Sequence, residues 1–148
     1  MSLRWPKPGL NDTPSYQVSG IPYVTRSVID EVPAAPASIR VTFPFVTRFF
    51  HVACDTGSTE DLRIGFTANG IKDAVATGPG YSTTGSNNNY FIVRKGDETP
   101  RLDVRCTEIY FSGDGDVSSF EIIAGLTVIP NSGSMSFITG SQGLEGVG

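Results

Sequence analysis

Apolar and polar residues alternate along most of this chain with a period of two. Ile39, Val41 and Phe43 follow that spacing, as do Leu62, Ile64 and Phe66, then Leu102, Val104 and Cys106 with Ile109 and Phe111 beyond them. Phe120, Ile122, Ala124, Leu126 and Val128 form the longest run. Successive side chains of a strand point to opposite faces, so this spacing predicts strands with one buried face. Ile21 to Ile29, Phe45 to Cys54 and Tyr90 to Val93 also read as strands, the second apolar on both faces near Phe49 and Phe50. Turn residues punctuate them. They are the Pro-rich stretch Val32 to Pro36, Pro44, the polar run Asp55 to Asp61, Asn69-Gly70, the charged turn Lys95 to Pro100, and Ser112 to Ser118. Thr77 to Asn89, rich in Gly, Ser, Thr and Asn, reads as an exposed loop with a short strand at Tyr81.

About eight strands result, at a spacing typical of all-β folds, with no helical pattern. The expected architecture is an antiparallel β-sandwich, best accommodated as a single jelly roll. An immunoglobulin-like sandwich is the alternative, but its core Trp is missing between Cys54 and Cys106. Residues 1–15 hold three prolines and the only tryptophan, Trp5. Proline fixes φ and removes N–H donors, so this stretch is expected to be an extended arm that docks on a neighbour. Residues 16–130 form the sandwich, and 131–148 a Gly/Ser-rich C-terminal segment. Pro22-Tyr23-Val24-Thr25-Arg26 is echoed by Pro44-Phe45-Val46-Thr47-Arg48. Two neighbouring strands solving one packing problem explain the echo.

Composition narrows the function. The chain has 148 residues, one domain's worth, and a net charge of −4. That charge, and arginines dispersed among acids at 26, 48, 63, 94, 101 and 105, argue against nucleic-acid binding. Eight arginines against three lysines lean toward protein interfaces, where Arg is enriched and Lys depleted. No apolar run reaches the ~20 residues of a membrane span, and the first ten residues lack a signal-peptide core. Cys54 and Cys106 end apolar strand patterns and read as buried free thiols, though a bridge between them stays open.

Catalytic chemistry is sparse, and the chain is not read as an enzyme. The single histidine, His51, sits in an aromatic strand and reads as structural. Two cysteines and one histidine are too few for a zinc site, and no cofactor motif is present. Asp114 and Asp116, or Asp55, Glu60 and Asp61, stand in turns that suit calcium, but Asp and Gly are favoured in turns anyway. Asp103, Glu108 and Glu121 fall on solvent-facing strand positions, with nothing to pair them for glycoside hydrolysis. Tyr81 and Tyr90 flank the polar loop and are the candidate platform for a glycan.

Five phrases carry a family resemblance. They are Pro-Tyr-Val-Thr-Arg-Ser at 22–27, Phe-Pro-Phe-Val-Thr-Arg at 43–48, Arg-Cys-Thr-Glu-Ile-Tyr-Phe at 105–111, Ala-Gly-Leu-Thr at 124–127 and Ile-Thr-Gly-Ser at 138–141. With the N-terminal arm, they make residues 16–142 resemble the small single jelly-roll structural proteins of large icosahedral double-stranded DNA viruses. The resemblance implies a virion protein assembled in the host cytoplasm. It implies the penton, a pentameric vertex capsomer whose partners are its own copies and the other capsid proteins. A decoration, fibre or glycan-binding module is the alternative. For assembly the expected residues are Trp5 as the arm's anchor, then Tyr16 and Arg26, because aromatic and Arg anchors dominate interface energies.

Overall fold

The computed structural model describes residues 13–30, 38–67, 70–71, 89–113 and 117–131. Trp5, Tyr81, Asp114, Asp116 and residues 132–148 therefore lie outside the described residues. The elements are a short helix α1 (Thr13–Gln17) and strands β1 (Ile21–Asp30), β2 (Ser38–Thr42), β3 (Phe45–Cys54), β4 (Leu62–Gly65), β5 (Tyr90–Val93), β6 (Glu108–Gly113) and β7 (Val117–Pro130). One sheet has the order β1-β7-β3 and the other β2-β6-β4-β5, with every pairing antiparallel. The two sheets pack face to face as a β-sandwich, the class that the alternation predicts.

Alternation explains which side chains fill the space between them. Phe50, Val52 and Cys54 of β3 point inward, as do Phe120, Ile122, Ala124 and Leu126 of β7. They meet Leu62 and Ile64 of β4 and Ile109 and Phe111 of β6. At the centre Phe111 and Phe120 stack across the two sheets, with ring centroids 4.1 Å apart and planes 14° from parallel. Tyr23 and Phe43 close the core edge-on at 5.0 Å. Both cysteines are free and buried within this core.

Two local expectations give way. Extended chain was expected through residue 15, yet Thr13 to Gln17 makes one helical turn. Pro14 sits in that first turn, where its missing N–H has no partner to lose. Tyr16 then packs on Val46 and Ile129, a small second core. The regular alternation at 102–106 predicted a ladder strand. Instead residues 97–107 run along the outer edge of β3 as an irregular strap. The bonds are Cys54 N–H to Asp97 O (2.9 Å), Thr99 N–H to Val52 O (2.8 Å), a reciprocal pair between Phe50 and Leu102 (2.9 and 3.0 Å), and Thr47 N–H to Cys106 O (2.9 Å).

Between Leu102 and Cys106 the ladder breaks, because the Val104 N–H turns back onto the Leu102 carbonyl (3.0 Å). The Thr47 hydroxyl fills the gap. It donates to the Val104 carbonyl at 2.6 Å and accepts the Cys106 N–H at 2.9 Å. β3 is bulged on both sides of Thr47, which brings that side chain to the strap. Gly96 opens the strap with φ of +79°, a left-handed turn suited to glycine, and donates its N–H to the Cys54 carbonyl (3.1 Å).

Two substitutions test this account. Phe120→Ala removes half of the central stack and should cost about 3–5 kcal/mol of unfolding free energy in denaturant titration. Thr47→Val keeps the volume but strands a buried N–H and a carbonyl, so it should cost about 1–3 kcal/mol. Hydrogen exchange should then quicken at Cys106 and leave β1 and β7 unchanged.

Candidate functional site

The outer face of the β1-β7-β3 sheet is unusually apolar. Inward-pointing Tyr23, Thr25, Ser27 and Ile29 leave Pro22, Val24, Arg26 and Val28 outward along β1. Val24 stands directly across from Ile123, Pro22 from Gly125 and Arg26 from Glu121. On the far side of β7, His51 faces Ile123 and Phe49 faces Gly125. Val24 is 70% exposed, Ile123 52% and Val28 50%. An outward Val–Ile pair at the middle of a sheet leaves apolar surface in contact with solvent. Phe49 continues the row because its ring lies over Gly125, where a Cβ would fall 2.4 Å from Phe49 Cε1.

Charged groups rim this row. Arg26 bonds Asp55 and reaches Glu121 at 3.5 Å. His51 Nε2 lies 3.2 Å from Glu98 Oε2 on the strap, so the histidine read as structural is a half-buried member of the outer face. Arg101 lies over the Phe49 ring, 4.3 Å from its centroid. An apolar centre with a charged rim has the anatomy of a protein interface.

A mixed apolar and charged groove lies at the strap edge of the sandwich. There β5, the outer strand of its sheet, and the strap enclose a groove of about 430 Å³, walled by Phe91, Ile92, Val93, Pro100 and Leu102 together with Thr99 and the charged Arg94, Asp97 and Glu98. Ile92 is exposed on its wall.

The expected site residues are dispersed. Tyr16 lies against Val46 and Ile129, with the Arg105 guanidinium 3.9 Å from its ring centroid. Arg26 sits on the β1-β7 face among its carboxylate partners, so the structure does not join it to Tyr16. Tyr90 carries Arg63 over its ring at 5.1 Å. The acidic turn acts in capping. Asp55 Oδ1 accepts the Gly57 N–H (3.0 Å), Asp61 Oδ1 accepts the Lys95 N–H (3.0 Å), and Ser118 donates to the carbonyls of Glu60 and Asp61. Among the described residues no group of three or more His, Cys, Asp or Glu could hold a metal. Asp103, Glu108 and Glu121 each have a separate basic partner, Arg101, Arg40 and Arg26. Burial pushes the Cys106 thiol up to about 12, leaving it protonated and unreactive at neutral pH.

The reading of dispersed arginines missed one grouping. Arg48, Arg101 and Arg105 share a pocket with Tyr16 and Asp103. The signal was present: if Leu102, Val104 and Cys106 turn one way, Arg101, Asp103 and Arg105 turn the other. No helix among the described residues is long and apolar enough to cross a membrane. Comparisons with protein-family models, curated proteins and solved structures find no match to this chain.

The Gly57 N–H above all holds the Asp55 carboxyl below its usual range; desolvation opposes it, and the Arg26 guanidinium adds a lesser lowering effect. A carboxylate with a depressed folded pKa stabilises the fold above its unfolded pKa, near ~3.9, and that stability fades as pH falls through the folded value. Asp55→Ala should therefore melt lower than the parent at pH 7. The gap should narrow steadily as melting curves are taken below about pH 4.

Proposed function

We propose that the chain is a single jelly roll and a structural subunit of an icosahedral virion, the penton, which closes its ring through head-to-tail contacts between copies. Strand pairing supports the fold. Counting the strap as a sixth strand, the first strand pairs with the last (β1 with β7), the second with the seventh (β2 with β6), the third with the sixth (β3 with the strap) and the fourth with the fifth (β4 with β5). Those four pairs are what one long eight-strand hairpin makes when it is wrapped into two sheets, the double Greek key of a jelly roll.

A jelly roll by itself serves many functions. The observation that carries the assembly reading is the presence of two differently shaped surfaces, an exposed apolar row and a groove. The row runs from Val24 on β1 across Ile123 on β7 to Phe49 on β3, and the groove beside Ile92 lies between β5 and the strap, with Glu98 at the margin of both. A ring needs two different, complementary patches on one subunit, because each copy must offer one patch forward and the other back. The family resemblance supplies the virion, and with it assembly in the host cytoplasm beside the other capsid proteins.

Native mass spectrometry across a concentration series tests the reading. The expected species is five times the 15.8 kDa chain. Val24→Glu should shift the equilibrium to monomer by at least tenfold while leaving the monomer's melting temperature within a few degrees, since the residue is exposed. A trimer would move the role to a decoration or fibre module. A chain that stays monomeric at every concentration, with Val24→Glu indistinguishable from it, would count against self-assembly.

A further inference from the structure

We propose that the groove between β5 and the strap receives the N-terminal arm of a neighbouring copy, with Trp5 among its apolar walls. Such a contact joins two copies, so it rests on the assembly reading. The groove encloses about 430 Å³. That lies within the ~300–1,000 Å³ of pockets that hold small organic ligands, and it is room for an indole and a proline ring. Its apolar part is Phe91, Ile92, Pro100 and Leu102, with Ile92 exposed. Grooves that combine aromatic and other apolar side chains are what Pro-rich segments dock into.

Composition and charge identify the occupant. Residues 4–8 read Arg-Trp-Pro-Lys-Pro and hold the chain's only tryptophan. Proline fixes φ at about −65°, so a segment with Pro6 and Pro8 loses little conformational freedom on docking. Trp and Arg are the residue types that most often anchor an interface. Arg4 and Lys7 flank the Trp-Pro pair with two positive charges. On the groove, Asp97 and Glu98 stand exposed at the start of the strap, and Arg94 offsets one of them. Glu98 also meets His51 through Oε2 at 3.2 Å, and a carboxylate has further acceptor sites. A basic arm carrying an aromatic side chain thus meets an apolar groove with an acidic margin.

Reach points to another copy. The arm leaves from α1, where Tyr16 packs on Val46 and Ile129 at one end of β3 and β7. Asp97 and Thr99 bond the other end of β3, at Cys54 and Val52. Eight residues separate Thr13 from Trp5. At ~3.1 Å each in polyproline II they extend about 25 Å. Pro-rich segments act as semi-rigid spacers, suited to reaching outward from α1 and not to folding back over their own strap.

Trp5 reports the contact directly, because no other tryptophan is present. The test follows its emission, and its quenching by acrylamide, in the full-length chain over a concentration series, beside native masses of the same samples. Where copies are associated, the emission should be blue-shifted from that of free tryptophan and the quenching suppressed. Dilution to monomer should reverse both. Ile92→Lys places a charge on the exposed groove wall and should leave Trp5 open to quencher at every concentration. Asp97→Arg should move the onset of protection to about fivefold higher concentration. Arg4→Glu with Lys7→Glu in the same chain should restore it, a rescue that misfolding cannot imitate. Mixing decides whose arm is bound. Ile92→Lys chains keep an intact arm and Trp5→Ala chains an intact groove, so Trp5 should become protected when the two are combined. An oligomer whose Trp5 stays as quenchable as free tryptophan would overturn this contact and leave the assembly reading standing. Protection that survives Ile92→Lys, a charge-reversed chain that fails to recover, or mixing without protection would also overturn it. A chain that stays monomeric at every concentration would overturn both, whether its Trp5 is exposed or protected.

Discussion

The outer edge of β3 sets the constraint on which the rest of the molecule depends. β3 is a long strand with β7 along one side only, and its other side presents a row of amides and carbonyls that need partners. The strap at 97–107 supplies them, and where its own backbone turns away, the Thr47 hydroxyl completes the set. Everything of functional interest on that flank follows from this closure. The strap carries Arg101, Asp103 and Arg105 to the side of Arg48, sets Glu98 against His51, and forms one wall of the groove beside β5. A regular strand would have met the same hydrogen-bonding need but spaced those side chains evenly. The irregularity is what gathers them.

The two outer faces of a sandwich are normally the polar half of each strand's alternation. Here the rule holds on the inside and bends on the outside of one sheet. Val24, Val28 and Ile123 occupy outward positions where Thr, Lys or Glu would serve a free-standing domain better. The charges that remain are mutually paired: Arg26, between Val24 and Val28 on β1, bonds Asp55 and Glu121.

Much of this was legible in the chain. Phe45 to Cys54 and Tyr90 to Val93 are strands with the bounds that their sequence suggests, because Pro44, the Asp55-Thr56-Gly57 turn and Lys95-Gly96 mark their ends. The inward set of β7 follows directly from its period of two. The helical turn at Thr13 was not legible, since five residues carry no periodicity and its footing is a distant pair, Val46 and Ile129. The strap was half legible. Its alternation is real and orients Arg101 and Arg105, but the break at Val104 depends on Thr47, more than fifty positions earlier. The apolar outer row was hidden for a related reason: register decides that Val24 meets Ile123, and one strand's sequence does not state its register.

β7 has a temporal consequence as well. It is the strand that joins β1 and β3 into one sheet, and it is among the last of the described chain to be made. A chain emerging from the ribosome at about 5–20 residues per second therefore holds β1 and β3 without their shared partner until Val117–Pro130 has been made. Pairings between such distant segments also form slowly. During that interval Val24 and Val28 stand on an unpaired edge as well as an exposed face, a risk of premature association while the chain is still tethered. An apolar row that the finished sheet merely exposes is thus a greater hazard on the unfinished one.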